Sequence, residues 1–159
     1  AVTDRRNLRF SSLEEIRRDV DAIAEAHQAG TLRTTGNWSP GQILQHCAKF
    51  MRLSMDGFPP GGPPWIFRVI AKLLFKKKAT RGEPMPPGIK LPKGASFLLP
   101  EDGVAFETGL ADMQNIFKRL DGGEKFTKPS PLFGPLTHEQ WSALHCGHCS
   151  LHFSFLHPT

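Results

Sequence analysis

Proline and glycine are spread unevenly along this chain, and their placement limits its fold more than any other feature. Of its 15 glycines and 14 prolines, fifteen fall between Gly57 and Pro100. Such a stretch cannot be one continuous helix or the centre of a sheet. Pro lacks the backbone donor, and Gly gives up the most conformational freedom when ordered. On both sides of it the apolar residues recur at helical spacing instead. No segment alternates apolar and polar residues over a strand's length, and no internal repeat is present.

Four long helices are expected. The first runs from about Ser11 to Gln28, with Ser11 and Glu14 spaced as a capping box, Leu13, Ile16, Val20, Ile23 and Ala24 as its apolar stripe, and Gly30 closing it. The second opens at Trp38-Ser39-Pro40-Gly41-Gln42, which supplies an N-cap Ser, a Pro at the first helical position and a Gln at the third. It continues through Ile43, Cys47, Phe50, Met51 and Ser54 to Gly57. The third covers about Gly103 to Leu120, and the fourth starts at Thr137, whose Gln140 completes another capping box, and reaches about Leu156. Inside the crossover, Trp65 to Lys77 reads as one short helix, apolar almost all round. The fold expected is therefore all-α: a four-helix bundle with a long Pro/Gly-rich crossover, residues 58–102, that carries a short extra helix.

At 159 residues this is one domain's length, 1–159, large enough to fold around its own core without disulfides or a structural metal. The formal net charge of +5 is dispersed and comes with no zinc-finger spacing or RNA-binding aromatic motif, so nucleic acid is excluded as a partner. Three cysteines are too few for a secreted disulfide scaffold. No signal peptide and no run of 18 apolar residues is present, which makes the cytoplasm the expected location. The chain starts at Ala1 rather than Met, so a removed leader is compatible with it. There is no tyrosine, which rules out phenol chemistry.

Seven histidines are present, and the last helix organises several of them. His148 and His152 are four apart, so their rings leave one face about 5–6 Å apart at Cβ and can reach one ion. His145 and His148 share a face as well, at i,i+3. His145 and His152 lie about 10 Å apart along the axis and cannot share an ion. A metal needs a further ligand, and His46, in the middle of the second helix on its inner side, is the natural candidate. Three neutral imidazoles suit zinc, nickel, iron or copper and leave a coordination position open, as catalytic sites do. The competing reading is that these imidazoles are core residues satisfied by backbone or side-chain partners. His27, His138 and His157 are expected at the surface, and Trp38 and Trp141 in the core.

Two other motifs invite a function. Cys146-Gly147-His148-Cys149 spells a dithiol oxidoreductase motif, but it sits three turns into a helix rather than at a helix N-terminus, where thiol pKa values are lowered. Cys146 is expected to point away from the core. Trp65 to Lys78, apolar and then basic, is too short to span a bilayer. It is expected to pack over one end of the bundle, with an anionic membrane surface as the alternative.

Trp38-Ser39-Pro40-Gly41-Gln42-Ile43-Leu44-Gln45-His46 resembles the second-helix signature of the DinB/YfiT-like metalloenzyme superfamily, in which a Trp, a helix cap and a later His recur. Leu132-Phe133-Gly134-Pro135-Leu136-Thr137, followed by Trp141 and then His148-Cys149-Ser150-Leu151-His152, is similar to that superfamily's last helix. The Pro-rich stretch from Phe58 to Pro100 looks like one branch of it. The resemblance implies a four-helix bundle with a divalent metal held by His46, His148 and His152; by their donor chemistry zinc or nickel is expected first and iron or copper next. Characterised members of that superfamily include transferases and isomerases that use low-molecular-weight thiols. The expected function is then metal-dependent activation of water or a thiol, for hydrolysis or thiol transfer on a small molecule. His145 is a candidate accessory group, and Asp112, Glu107 or Gln114 are candidates to orient a ligand imidazole. A non-catalytic metal-binding or interaction module is the alternative. The sequence leaves the oligomeric state open, a homodimer included, and a membrane is not an expected partner.

Overall fold

A computed structural model describes residues 4–88 and 93–159; residues 89–92 of the crossover lie outside the described residues. The described chain is mostly helical. In order come α1 (Leu13–Gln28), β1 (Arg33–Thr34), α2 (Pro40–Asp56), α3 (Trp65–Leu74), α4 (Lys76–Ala79), a 3-10 helix (Lys93–Leu98), α5 (Phe106–Asp121), α6 (His138–Phe153) and β2 (Leu156–His157).

The starts of α2 and α6 follow the cap chemistry in their sequences. Ser39 Oγ accepts from the Gln42 amide at 3.2 Å while Gln42 Oε1 accepts from the Ser39 amide at 2.9 Å. Thr137 and Gln140 repeat the arrangement at 3.1 and 3.0 Å. Each box satisfies two amides that a helix end otherwise leaves bare. At α1 the register is one residue later than expected. Ser12 is the N-cap, accepting from the Glu15 amide at 3.2 Å. Ser11 instead holds the Glu15 carboxylate through its amide and hydroxyl, at 2.7 and 2.8 Å. The third long helix begins at Phe106 rather than Gly103, with Ala105 as its cap residue.

The four long helices share one core cluster. Ile16, Val20 and Ile23 come from α1; Ile43, Leu44, Cys47 and Met51 from α2; Met113 and Ile116 from α5; Trp141, Cys149 and Phe153 from α6. Helices α2 and α5 cross most closely at two glycines. A Cβ at Gly109 would collide with the Gly41 carbonyl oxygen, and one at Gly41 would lie 2.6 Å from the Val104 carbonyl oxygen. Only residues without a Cβ allow the two backbones to approach this far.

Helix α6 departs from a one-stripe reading. Its apolar residues are distributed round the helix, and it is covered on more than one side. Phe10 crosses it, with its amide on Ser150 Oγ at 2.9 Å and its ring edge-on to Phe153. Cys146 is consequently buried, at 3% exposure, and not turned away from the core as expected. The helix also ends earlier, at Phe153, because Leu156–His157 pairs antiparallel with Arg33–Thr34. This short ladder buries His157, which the sequence placed at the surface. Its Nε2 lies 3.2 Å from Thr35 Oγ1.

The crossover differs most from expectation. It carries α3, α4 and the 3-10 helix rather than one short helix, and α3 meets the core through Ala71 while leaving most of its apolar side chains uncovered. Trp65 is 70% exposed and Leu73 78% exposed, while Ala71 is buried. The descending part does dock. A Cβ on Gly147 of α6 would lie 2.8 Å from the Glu83 carbonyl oxygen, so crossover backbone rests directly on α6 beside His148. Among the described residues no helix is long and apolar enough to cross a membrane.

Candidate metal centre

His46 projects from α2, two turns after its Ser39 cap, and meets His148 and His152 from α6. One ring nitrogen from each of the three lies within 4.8 Å of the others. This group could hold a metal ion. The closest pair is His46 Nε2 to His148 Nε2, at 3.0 Å. Two nitrogens bound at 2.0–2.1 Å to a tetrahedral ion lie about 3.3 Å apart, so the pair needs little adjustment. The rings meet edge to face, with His46 and His152 at 75° and His148 and His152 at 81°. That orientation aims nitrogens at a common point instead of stacking the rings.

The proton positions follow from partners. His46 Nδ1 donates to the Leu98 carbonyl oxygen at 2.6 Å. Leu98 ends the 3-10 helix, where carbonyls have no helical partner, so its oxygen is free to accept. With the proton on Nδ1, the His46 Nε2 lone pair faces His148, as a ligand imidazole requires. His148 Nδ1 is buried with no partner among the described residues. Two Nε2 lone pairs cannot face each other at 3.0 Å unsupported: either His148 Nε2–H donates to His46 Nε2, which leaves His148 Nδ1 a bare acceptor, or a cation takes that proton's place. With His152 beside the same point, the donor set fits a metal ion.

Burial keeps the set neutral. His46 is 4% exposed, and His148 and His152 are half-buried, which leaves one side of the group near the surface. Desolvation is the largest cause of the lowered pKa at all three. His46 is lowered despite its Leu98 bond. His148 is held well below the ordinary value, helped by its histidine neighbours. His152 is pushed down to about 3. Neutral imidazole is the form that binds metal.

Aromatic rings fix the imidazoles. Trp38 stacks on His152, with centroids 5.1 Å apart and planes at 12°, and meets His46 edge-on at 4.9 Å. Trp38, half-buried against the core as expected, is thus also a wall of the site. Phe50 lies 4.9 Å from His148. Trp141 is buried as expected, its indole donating to the Lys128 carbonyl oxygen at 2.8 Å.

The structure places the other candidates elsewhere. His145 is fully buried against Trp141, and its Nε2 lies 2.8 Å from Ser54 Oγ. Ser54 Oγ donates to the Met51 carbonyl oxygen at 2.6 Å. His145 Nε2–H then donates to Ser54, which leaves Nδ1 as a bare buried acceptor rather than an orphaned donor. Glu107 faces His27 at 3.5 Å. Asp112 lines a cleft of about 240 Å³ with Gln45, Lys49, Arg52 and Glu101, and Gln114 is exposed. None of the three carboxamide or carboxylate candidates hydrogen-bonds a ligand imidazole; the Leu98 carbonyl takes that role at His46. A backbone acceptor carries no side-chain signature, so the sequence held no signal for it. His138 is part-buried, accepting from the Phe126 amide at 3.0 Å, and His27 is exposed but stacked on Phe106.

The dithiol reading fails on burial. Cys146 and Cys149 are both buried. Burial first, then Cys149, pushes the Cys146 thiol up to about 12. A hydrogen bond with Cys47, together with burial, holds the Cys149 thiol well above its ordinary value. Neither offers a thiolate to a partner.

No curated protein and no solved structure matches the chain. A family model described as protein of unknown function (DUF1569) matches residues 2–159, so the chain belongs to that family.

Proposed function

From the resemblance carried by Trp38 to His46 and the geometry at His46, we propose that the chain is a DinB-like four-helix bundle that works as a metal-dependent enzyme on a small molecule. The observation that carries the reading is the convergence of three neutral imidazoles from two helices, at a site bordered by half-buried His148 and His152. Three protein ligands leave at least one position for a substrate, which distinguishes a catalytic centre from a closed structural one. Zinc or nickel suits the donors best, with iron or copper next. A divalent ion held here supplies Lewis acidity, lowering the pKa of a water or a substrate thiol so that a nucleophile exists at neutral pH.

The chain's own residues contribute position and dryness. Leu98 holds the His46 proton on Nδ1, and Trp38 and Phe50 keep the His152 and His148 rings from rotating. Hydrolysis and thiol transfer are the two reaction classes this supports, with a low-molecular-weight thiol as the co-substrate of the second. The test supplies metal-loaded protein with activated esters, and separately with small thiols and electrophiles. Turnover that is lost on chelation, restored by metal and absent in His148→Ala supports the reading. Turnover unchanged in His148→Ala, or absent with every substrate in metal-loaded protein, counts against it.

A further inference from the structure

Helix α3 is built inside out. At 3.6 residues per turn, Trp65, Ile66, Val69, Ile70, Leu73 and Leu74 share one broad arc, and Ala71 lies outside it. Ala71 faces the protein and is 7% exposed. The arc faces water, with exposures from 45% at Val69 and Ile70 to 78% at Leu73. Phe67 and Phe75, also more than half exposed, extend the patch. An exposed apolar surface of this continuity marks a contact that is completed by something else.

Charge identifies that something. Between Asp56 and Glu83 the chain has six cations, Arg68, Lys72, Lys76, Lys77, Lys78 and Arg81, and no acidic residue. Helix α4 is little more than three of these lysines, following directly on the apolar arc. A two-fold contact between copies through this face would set one cationic group against the other, with no acid on the patch to offset it. An apolar arc carrying Trp and Phe, flanked by Lys and Arg, matches a helix lying in the interface of an anionic bilayer. Ten residues of α3 are too few to cross it.

We propose that α3 and α4 form a docking surface for an anionic lipid membrane: the α3 arc enters the headgroup and acyl boundary while Lys76 to Lys78 meet lipid phosphates. The surface acts without the metal centre, so its failure leaves the metal reading untouched. The Gly-rich and Pro-rich turn from Gly57 to Pro64, where Gly57, Gly61 and Gly62 all take positive φ, sets α3 so that Ala71 meets the core and the apolar arc stays outside.

The experiment is flotation of the purified full chain with vesicles of phosphatidylcholine alone or mixed equally with phosphatidylglycerol, at low and high salt. Lys76→Glu/Lys77→Glu/Lys78→Glu and Leu73→Glu/Leu74→Glu are run beside the wild type. All five positions are at or near the surface, and circular dichroism checks that both variants remain folded. Flotation with the anionic vesicles at low salt, falling about tenfold or more at high salt and in each variant, is expected. A blue shift of tryptophan fluorescence on vesicle addition that is lost in Trp65→Phe places α3 at the lipid. A wild type that stays at the bottom with anionic vesicles at low salt overturns the proposal. So does a concentration-dependent dimer abolished by Leu73→Glu/Leu74→Glu in a chain that binds neither vesicle.

Discussion

His46 Nδ1 donates to the Leu98 carbonyl oxygen across 2.6 Å, joining the middle of α2 to the end of the crossover's 3-10 helix. The chain segment with the least regular sequence therefore sets the tautomer of a ligand imidazole. Gly147 is where that segment is pressed onto α6. In Gly147→Ala the added methyl meets the Glu83 carbonyl, and the crossover must lift. Metal affinity is expected to fall roughly tenfold, the usual scale for losing an outer partner of a ligand histidine. Competition against a chromophoric chelator measures it; unchanged affinity would detach the crossover from the site.

Gly109→Ala separates packing from function. The methyl meets the Gly41 carbonyl, where neither backbone can yield without moving α5 from α2. A loss of about 1–3 kcal/mol in urea denaturation is expected, with metal stoichiometry retained in the folded fraction.

His145 adds to the pH dependence of stability that the lowered ligand histidines also carry. Burial pushes its pKa down to about 3, from an ordinary 6.5. Between those values the unfolded chain binds a proton that the folded chain excludes. Stability is therefore full above pH 6.5 and declines as the pH falls through the window. This one group contributes a slope of about 1.4 kcal/mol per pH unit there. His145→Gln keeps a partner for Ser54 and cannot titrate, so its stability is expected to fall less steeply on acidification. Parallel curves for the two proteins would contradict the assignment.

Trp38 reports on the centre because it stacks on His152 at 5.1 Å. Nickel or copper titrated into the protein is expected to quench part of the tryptophan emission. Trp38→Phe is expected to lose that quenched component while still binding metal. Equal fractional quenching in both proteins would place the ion away from this ring.

What the sequence made legible was local chemistry. Ser39 with Gln42, and Thr137 with Gln140, mark helix starts through side chains that bond backbone three residues away, and both boxes form. At Ser11-Ser12 two hydroxyls compete for one cap, and spacing alone selected the wrong one. His148 and His152 were readable as a pair because helical spacing fixes their face, and His46 because its cap fixes its phase. Coverage was not readable. A helical period says which side is apolar, not what lies against it, so Cys146 and His157 are buried by segments distant in sequence. For the same reason α3 exposes the arc expected to be buried.

His46, His148 and His152 are expected to hold one metal ion. Calorimetric titration of zinc or nickel into untagged, chelator-stripped protein tests it most directly, with His46→Ala, His148→Ala and His152→Ala beside His27→Ala as control. One equivalent bound by the wild type and by His27→Ala, weakened at least about tenfold in each of the other three, is the expected result. Equal binding in all five proteins, or none in the wild type, would contradict it.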